Sequence, residues 1–126
     1  MAHKTYFVEV KSQFEALHRW KDAPEEVKFL RDFHRHVFVV RVTVNAKHAN
    51  REVEFFILKK ELDAIIKEIF CISTALWASE ATLKEMEMSC EQIADIIQQK
   101  LEANRFRVSK ISVHEDDENG AVVEYA

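Results

Sequence analysis

Between His34 and Asn45 the chain reads His-Arg-His-Val-Phe-Val-Val-Arg-Val-Thr-Val-Asn, a run dominated by β-branched side chains. Branching at Cβ restricts χ1 against a helical turn and suits a pleated strand, so the segment is expected to be a strand around which the rest must pack. Asn45-Ala46-Lys47 closes it with turn character.

The flanking segments supply its neighbours. From Tyr6-Phe7-Val8-Glu9-Val10 to Phe14-Glu15-Ala16-Leu17-His18 apolar and polar residues alternate loosely, which predicts a first strand ending near His18, with a bend near Lys11-Ser12. Lys21 to Arg31 is polar, contains Pro24 and the pair Glu25-Glu26, and reads as a loop with a short helical turn. Glu52-Val53-Glu54-Phe55 reads as a strand-like piece leading into a helix, where Leu58, Leu62, Ile65, Ile66 and Ile69 follow the helical period. Ser89, with Gln92 three residues on, has the pattern of a capping box ahead of Ile93, Ala94, Ile96, Ile97 and Leu101, a second amphipathic helix. Phe106 to Glu115 alternates in period two, Asp117-Glu118-Asn119-Gly120 is turn-like, and Val122 to Tyr125 returns, which predicts a terminal hairpin. The order is two strands, two helices, two strands. It predicts an α+β fold: an antiparallel four-stranded sheet with both helices on one face and with open edges that invite oligomers.

At 126 residues the chain fits one domain, spanning 1–126. Gly120 and Pro24 are the only glycine and proline, which excludes a Gly-rich phosphate loop, a flexible linker and low-complexity sequence. A formal charge of −4 without a dense Lys/Arg run leaves no electrostatic footprint for nucleic acid or an anionic membrane. No apolar stretch reaches the roughly 18 to 20 residues of a membrane span, and Met1-Ala2-His3-Lys4 leads into the first strand without a signal-peptide core, so a cytoplasmic location is expected. In that compartment Cys71 and Cys90 are expected to be free thiols.

The chemistry concentrates on histidine. His34 and His36 lie two apart at the start of the best strand, so both imidazoles project from one face and can share a metal. His18 ends the neighbouring strand; if the two strands pair, it adds a third nitrogen and leaves an open position of the kind catalytic zinc sites keep. On spacing alone the pair fits ordinary histidines without a metal better than a zinc site, and His3, His48 and His114 show no comparable spacing.

The motifs go further than the spacing. Phe14-Glu15-Ala16-Leu17-His18-Arg19-Trp20, followed by His34-Arg35-His36-Val37-Phe38, resembles the paired signature of the 6-pyruvoyl-tetrahydropterin synthase family, which includes 6-carboxy-tetrahydropterin synthases. Glu54-Phe55 with Leu58-Lys59, Ser89-Cys90-Glu91-Gln92-Ile93-Ala94 and Val113-His114-Glu115 resemble further family blocks, in family order. The resemblance implies the tunnelling fold (T-fold), in which three subunits join sheets into a barrel and two rings stack, hence a homo-oligomer, a trimer or a hexamer as a dimer of trimers. It implies Zn2+ on His18, His34 and His36, and Glu115 and Glu91 as substrate-binding residues, Glu115 anchoring the amino-pyrimidine edge of a reduced pterin. The implied function is a lyase on a dihydroneopterin triphosphate type of substrate, or a non-catalytic pterin- or purine-binding homologue that keeps the zinc site.

The second alternative arises from departures. The family's catalytic cysteine lies a few residues before His-x-His, where this chain has Lys28-Phe29-Leu30-Arg31-Asp32-Phe33. Its Asp-His proton relay is replaced by Phe70-Cys71 within Ile69-Phe70-Cys71-Ile72, the glycine between the two histidines by Arg35, and the threonine after the anchor glutamate by Asp116. Proton transfer needs a titratable group near the substrate, and the weak candidates for a substitute are Glu25, Glu26 and Asp32 in the long loop, and Cys71.

Overall fold

The computed structural model describes residues 3–71 and 83–126. Met1, Ala2 and Ile72, the last belonging to the stretch that replaces the relay pair, lie outside them.

The β-branched run forms strand β2, His34–Ala46, antiparallel to β1, Tyr6–His18. Their ladder runs unbroken from Tyr6↔Ala46 to His18↔His34, so the expected irregularity at Lys11-Ser12 does not interrupt the pairing of β1. Between them Glu25–Arg31 makes a 3-10 helix. Helix α1 spans Phe55–Phe70, β3 Glu85–Met86, α2 Cys90–Ala103, β4 Val108–Glu115 and β5 Asn119–Glu124. The sheet has five strands in the order β3-β1-β2-β4-β5.

Three further expectations need correction. The sheet gains a fifth strand, because Glu85 and Met86 pair in parallel with Leu17 and His18; two residues are too few for a periodic signal. Glu52–Phe55 is no strand: Phe55 opens α1, and the Glu54 carboxylate caps it by accepting from the amides of Phe56 at 3.0 Å and Ile57 at 3.2 Å. The hairpin turn sits earlier than expected, since Asn119 and Gly120 already pair with Glu115 and His114. Asp116 and Asp117 make the turn in left-handed conformations, φ 53° and 54°, which aspartate tolerates better than most residues. The capping box at Ser89 is present in full, with both reciprocal bonds between Ser89 and Gln92.

Alternation in the paired strands gives the sheet one apolar face. Val10, Phe14 and Ala16 of β1, Phe38, Val40, Val42 and Val44 of β2, and Ile111 and Val113 of β4 are buried together with Leu58, Leu62, Ile65, Ile66 and Phe70 of α1 and Ile93, Ala94, Ile97 and Leu101 of α2. Both helices therefore cover the same face, as the amphipathic patterns require. Phe14 stacks between Phe38, at 5.1 Å, and Phe70, at 4.7 Å. This apolar stack ends where the strand termini bring His18, His34, His36 and Glu115 together on the same face. Among the described residues no helix is long and apolar enough to cross a membrane.

Gly120 is packed backbone to backbone against its partner strand. A Cβ there would collide with the Val113 carbonyl oxygen and lie 2.6 Å from His114 Cα. Neither can yield without distorting β4, so Gly120→Ala is expected to destabilise the fold by about 2–3 kcal/mol, read from the chemical denaturation midpoint.

Candidate metal centre

The ladder pairs His18 with His34, and His36 follows two residues on, directly across from Ala16. A small residue opposite His36 leaves room for the ring. The imidazole centroids are 4.5 Å apart for His34 and His36, 5.9 Å for His18 and His34, and 6.3 Å for His18 and His36. One ring nitrogen from each lies within 4.8 Å of the other two, close enough to share one ion. Phe38 forms the apolar floor, its ring edge-on to His18 at 5.6 Å and to His36 at 6.1 Å.

Hydrogen bonds decide which nitrogen of each ring is free. His18 Nε2 meets the Met88 carbonyl at 2.8 Å, His34 Nδ1 the Asp32 carbonyl at 2.8 Å, and His36 Nδ1 the Asp116 carboxylate at 2.7 Å. All three partners are acceptors, so these nitrogens carry the protons and the opposite nitrogens hold lone pairs. Those opposite atoms, His18 Nδ1, His34 Nε2 and His36 Nε2, are buried and have no hydrogen-bond partner. Facing them, the Glu115 carboxylate stands 3.5 Å from His18 Nδ1 and 3.3 Å from His36 Nε2. Three lone pairs and a carboxylate turned towards one another repel unless a cation sits among them. Burial pushes the pKa of His18 below its usual 6.5, outweighing the Met88 bond and the Glu115 charge, which act upward. A proton is therefore disfavoured at His18, and a divalent metal fits the donor set better.

Beside His18 and Glu115 opens a cavity of about 520 Å³, walled by Trp20, Leu30, Glu87, Ser89, Cys90, Glu91 and Gly120 among others. The two expected substrate-binding residues, Glu115 and Glu91, thus line one pocket. The candidate bases lie elsewhere. Glu25 and Glu26 are exposed on the 3-10 helix, Glu25 paired with Lys28 at 3.4 Å and Arg31 at 3.6 Å. Asp32 takes part through its backbone carbonyl, towards His34. Cys71 follows α1 outside the pocket wall, and burial raises its thiol pKa. The thiol that does reach the pocket is Cys90, first residue of α2; burial, then the charges of Glu115 and Glu91, push it up to about 12, leaving it protonated at neutral pH. Its place directly after the Ser89 cap and before Glu91 was the signal that could have marked it.

Residues 7–126 match the sequence profile of 6-pyruvoyl tetrahydropterin synthase. The chain belongs to that family. Its fold is similar to the 6-pyruvoyl tetrahydropterin synthase of Caenorhabditis elegans, with a TM-score of 0.66 at 16% identity, over 98% of this chain and 97% of that one. An uncharacterised protein from Wolinella succinogenes is similar too, with a TM-score of 0.66 at 13% identity, over 98% of this chain and 100% of that one. No curated protein sequence matches. The α+β architecture is the expected T-fold, and a possible three-histidine metal site stands at its strand ends.

The His18 environment has a pH consequence for the metal-free protein. Unfolded, His18 titrates near 6.5; folded, it titrates lower, so below 6.5 the unfolded chain binds the proton more readily. Stability is expected to be full above that pH and to fall as pH drops through this window. Denaturation midpoints in the presence of chelator check this, and His18→Gln, which can still donate to Met88, should flatten the slope.

Proposed function

We propose that this chain is a zinc-dependent, 6-pyruvoyl tetrahydropterin synthase-like protein that binds a reduced pterin of the dihydroneopterin triphosphate type and acts on it as a lyase. The observation that carries this reading is the convergence of three unpartnered imidazole nitrogens on one another beside Glu115, which with His18 lines the pocket. His18, His34 and His36 would hold the ion. Zinc bound there supplies Lewis-acid polarisation of a substrate oxygen. The chain itself supplies recognition and exclusion of water. Glu115 has two acceptor oxygens for the paired N–H donors of an amino-pyrimidine, Glu91 adds a second carboxylate, and Trp20 and Leu30 offer apolar wall to a flat ring.

A second reading, a non-catalytic pterin- or purine-binding homologue, is favoured by one feature. Among the described residues the only thiol in the pocket wall is Cys90, which burial holds protonated, so it is a poor general base. Under either reading we propose a homo-oligomer, a trimer or a hexamer, supported by β5 at one edge of the sheet and two-residue β3 at the other.

Purified without added metal, the protein is expected to carry about one zinc per chain by elemental analysis, and His34→Ala or His36→Ala to lose it while the fold persists. The zinc-loaded protein incubated with dihydroneopterin triphosphate should release triphosphate across neutral pH. Binding of the pterin without turnover selects the second reading; no zinc and no pterin binding removes both. Glu115→Gln should weaken pterin binding about 10-fold or more, because an amide presents a donor where the carboxylate presents an acceptor.

A further inference from the structure

The three ligand histidines are not held alike. His18 and His34 donate to neutral backbone carbonyls, of Met88 and Asp32, whereas His36 donates to the carboxylate of Asp116. Asp116 is the first residue of the β4–β5 turn, immediately after Glu115, and its left-handed backbone, φ 53°, turns its side chain back onto β2. There it makes three contacts. Oδ2 accepts from His36 Nδ1 at 2.7 Å, Oδ1 accepts from the Val37 amide at 2.9 Å, and its own amide donates to the Val37 carbonyl at 2.7 Å.

We propose that Asp116 is the positioning residue of the metal centre, whose carboxylate locks His36 in the tautomer that turns a lone pair at Nε2 towards His18 and His34. The proposal rests on the zinc reading above. One carboxylate satisfies two donors from adjacent residues, the ligand ring and the next backbone amide, so the ring cannot turn without breaking a grip anchored in the strand itself. A carboxylate behind a ligand imidazole also strengthens the ring's donor nitrogen, which a neutral carbonyl does less. An asparagine cannot replace it. Its single oxygen is drawn to the Val37 amide, whose N–H can only donate, and its amide NH2, then turned to His36 Nδ1, would call for a lone pair there and move the proton to Nε2, where the metal must bind.

Three variants separate this from a structural role. Asp116→Asn keeps the left-handed backbone within reach and loses the double acceptor. Asp116→Ala removes the side chain. Asp117→Asn, at φ 54° in the same turn, removes a carboxylate that pairs with Arg41 instead, and serves as the control for charge and turn. Zinc affinity is measured by competition with a chromophoric chelator, and the His36 tautomer by imidazole nitrogen shifts of the metal-free protein. Asp116→Asn and Asp116→Ala should bind zinc about 10-fold more weakly than wild type and Asp117→Asn; the low end of the outer-shell range applies because Asp116 is half exposed. In Asp116→Asn the proton should shift towards His36 Nε2. Wild-type zinc affinity in both Asp116 variants, or an unchanged His36 tautomer in Asp116→Asn, overturns the proposal while leaving the zinc reading intact. A wild-type protein that takes up no zinc removes both.

Discussion

The register of the β1–β2 ladder is the constraint on which the rest of the molecule depends. Each strand contributes thirteen residues, paired without a bulge from one end to the other. Because side chains alternate with period two, a slip of one residue would send Phe14, Ala16 and His18 to the opposite face from Phe38, His36 and His34. Burial forbids that slip. The face beneath α1 and α2 takes Val10, Phe14, Val40 and Val42, while Glu9, Lys11 and Arg41 belong on the other. The same hydrophobic pressure that packs the core thus delivers the histidines to one place.

The site is made possible by what lies behind the histidines as much as by the rings. Two backbone carbonyls and one carboxylate occupy the far nitrogens, so the near ones remain lone pairs among apolar surroundings that include Phe38. These acceptors come from three separate parts of the chain: the segment leading to α2, the connection before β2, and the turn after β4. The fifth strand has a part here, since pairing of Glu85 and Met86 with Leu17 and His18 brings the Met88 carbonyl to His18. Similarly, Glu115 reaches the cluster because β4 ends level with Phe38, two residues from His36 along β2 and on the same face. Burial, which disfavours a charge on either group, lowers the proton affinity of His18 and keeps the Cys90 thiol protonated.

Much of this is legible in the sequence. β-branched density marked β2, the helical period marked α1 and α2, and Ser89 with Gln92 marked the start of α2 because a capping box is a local device. Glu54 shows the same locality in reverse: the four residues around it alternate like a strand, yet its carboxylate acts on the amides that follow. Among the site residues, the histidine trio, Glu115 and Glu91 stood out by type and order. Asp116, Trp20 and Cys90 did not, since nothing in an aspartate, a tryptophan or a cysteine taken singly says which cavity or ring it will meet.

The sequence by itself determined the α+β order and the apolar face of each long element, because periodicity and residue type are properties of short stretches of chain; the three imidazoles and Glu115 were singled out together only by the order of their flanking motifs, which resemble the family's. Only the tertiary structure decided which nitrogen of each ring is free, that Asp116 stands behind His36, and that Cys90 rather than Cys71 faces the pocket beside Glu115. Those depend on contacts between segments as far apart as His36 and Asp116, or His18 and Met88, which no local pattern encodes and which the packing of the sheet against its helices alone brings within hydrogen-bonding distance.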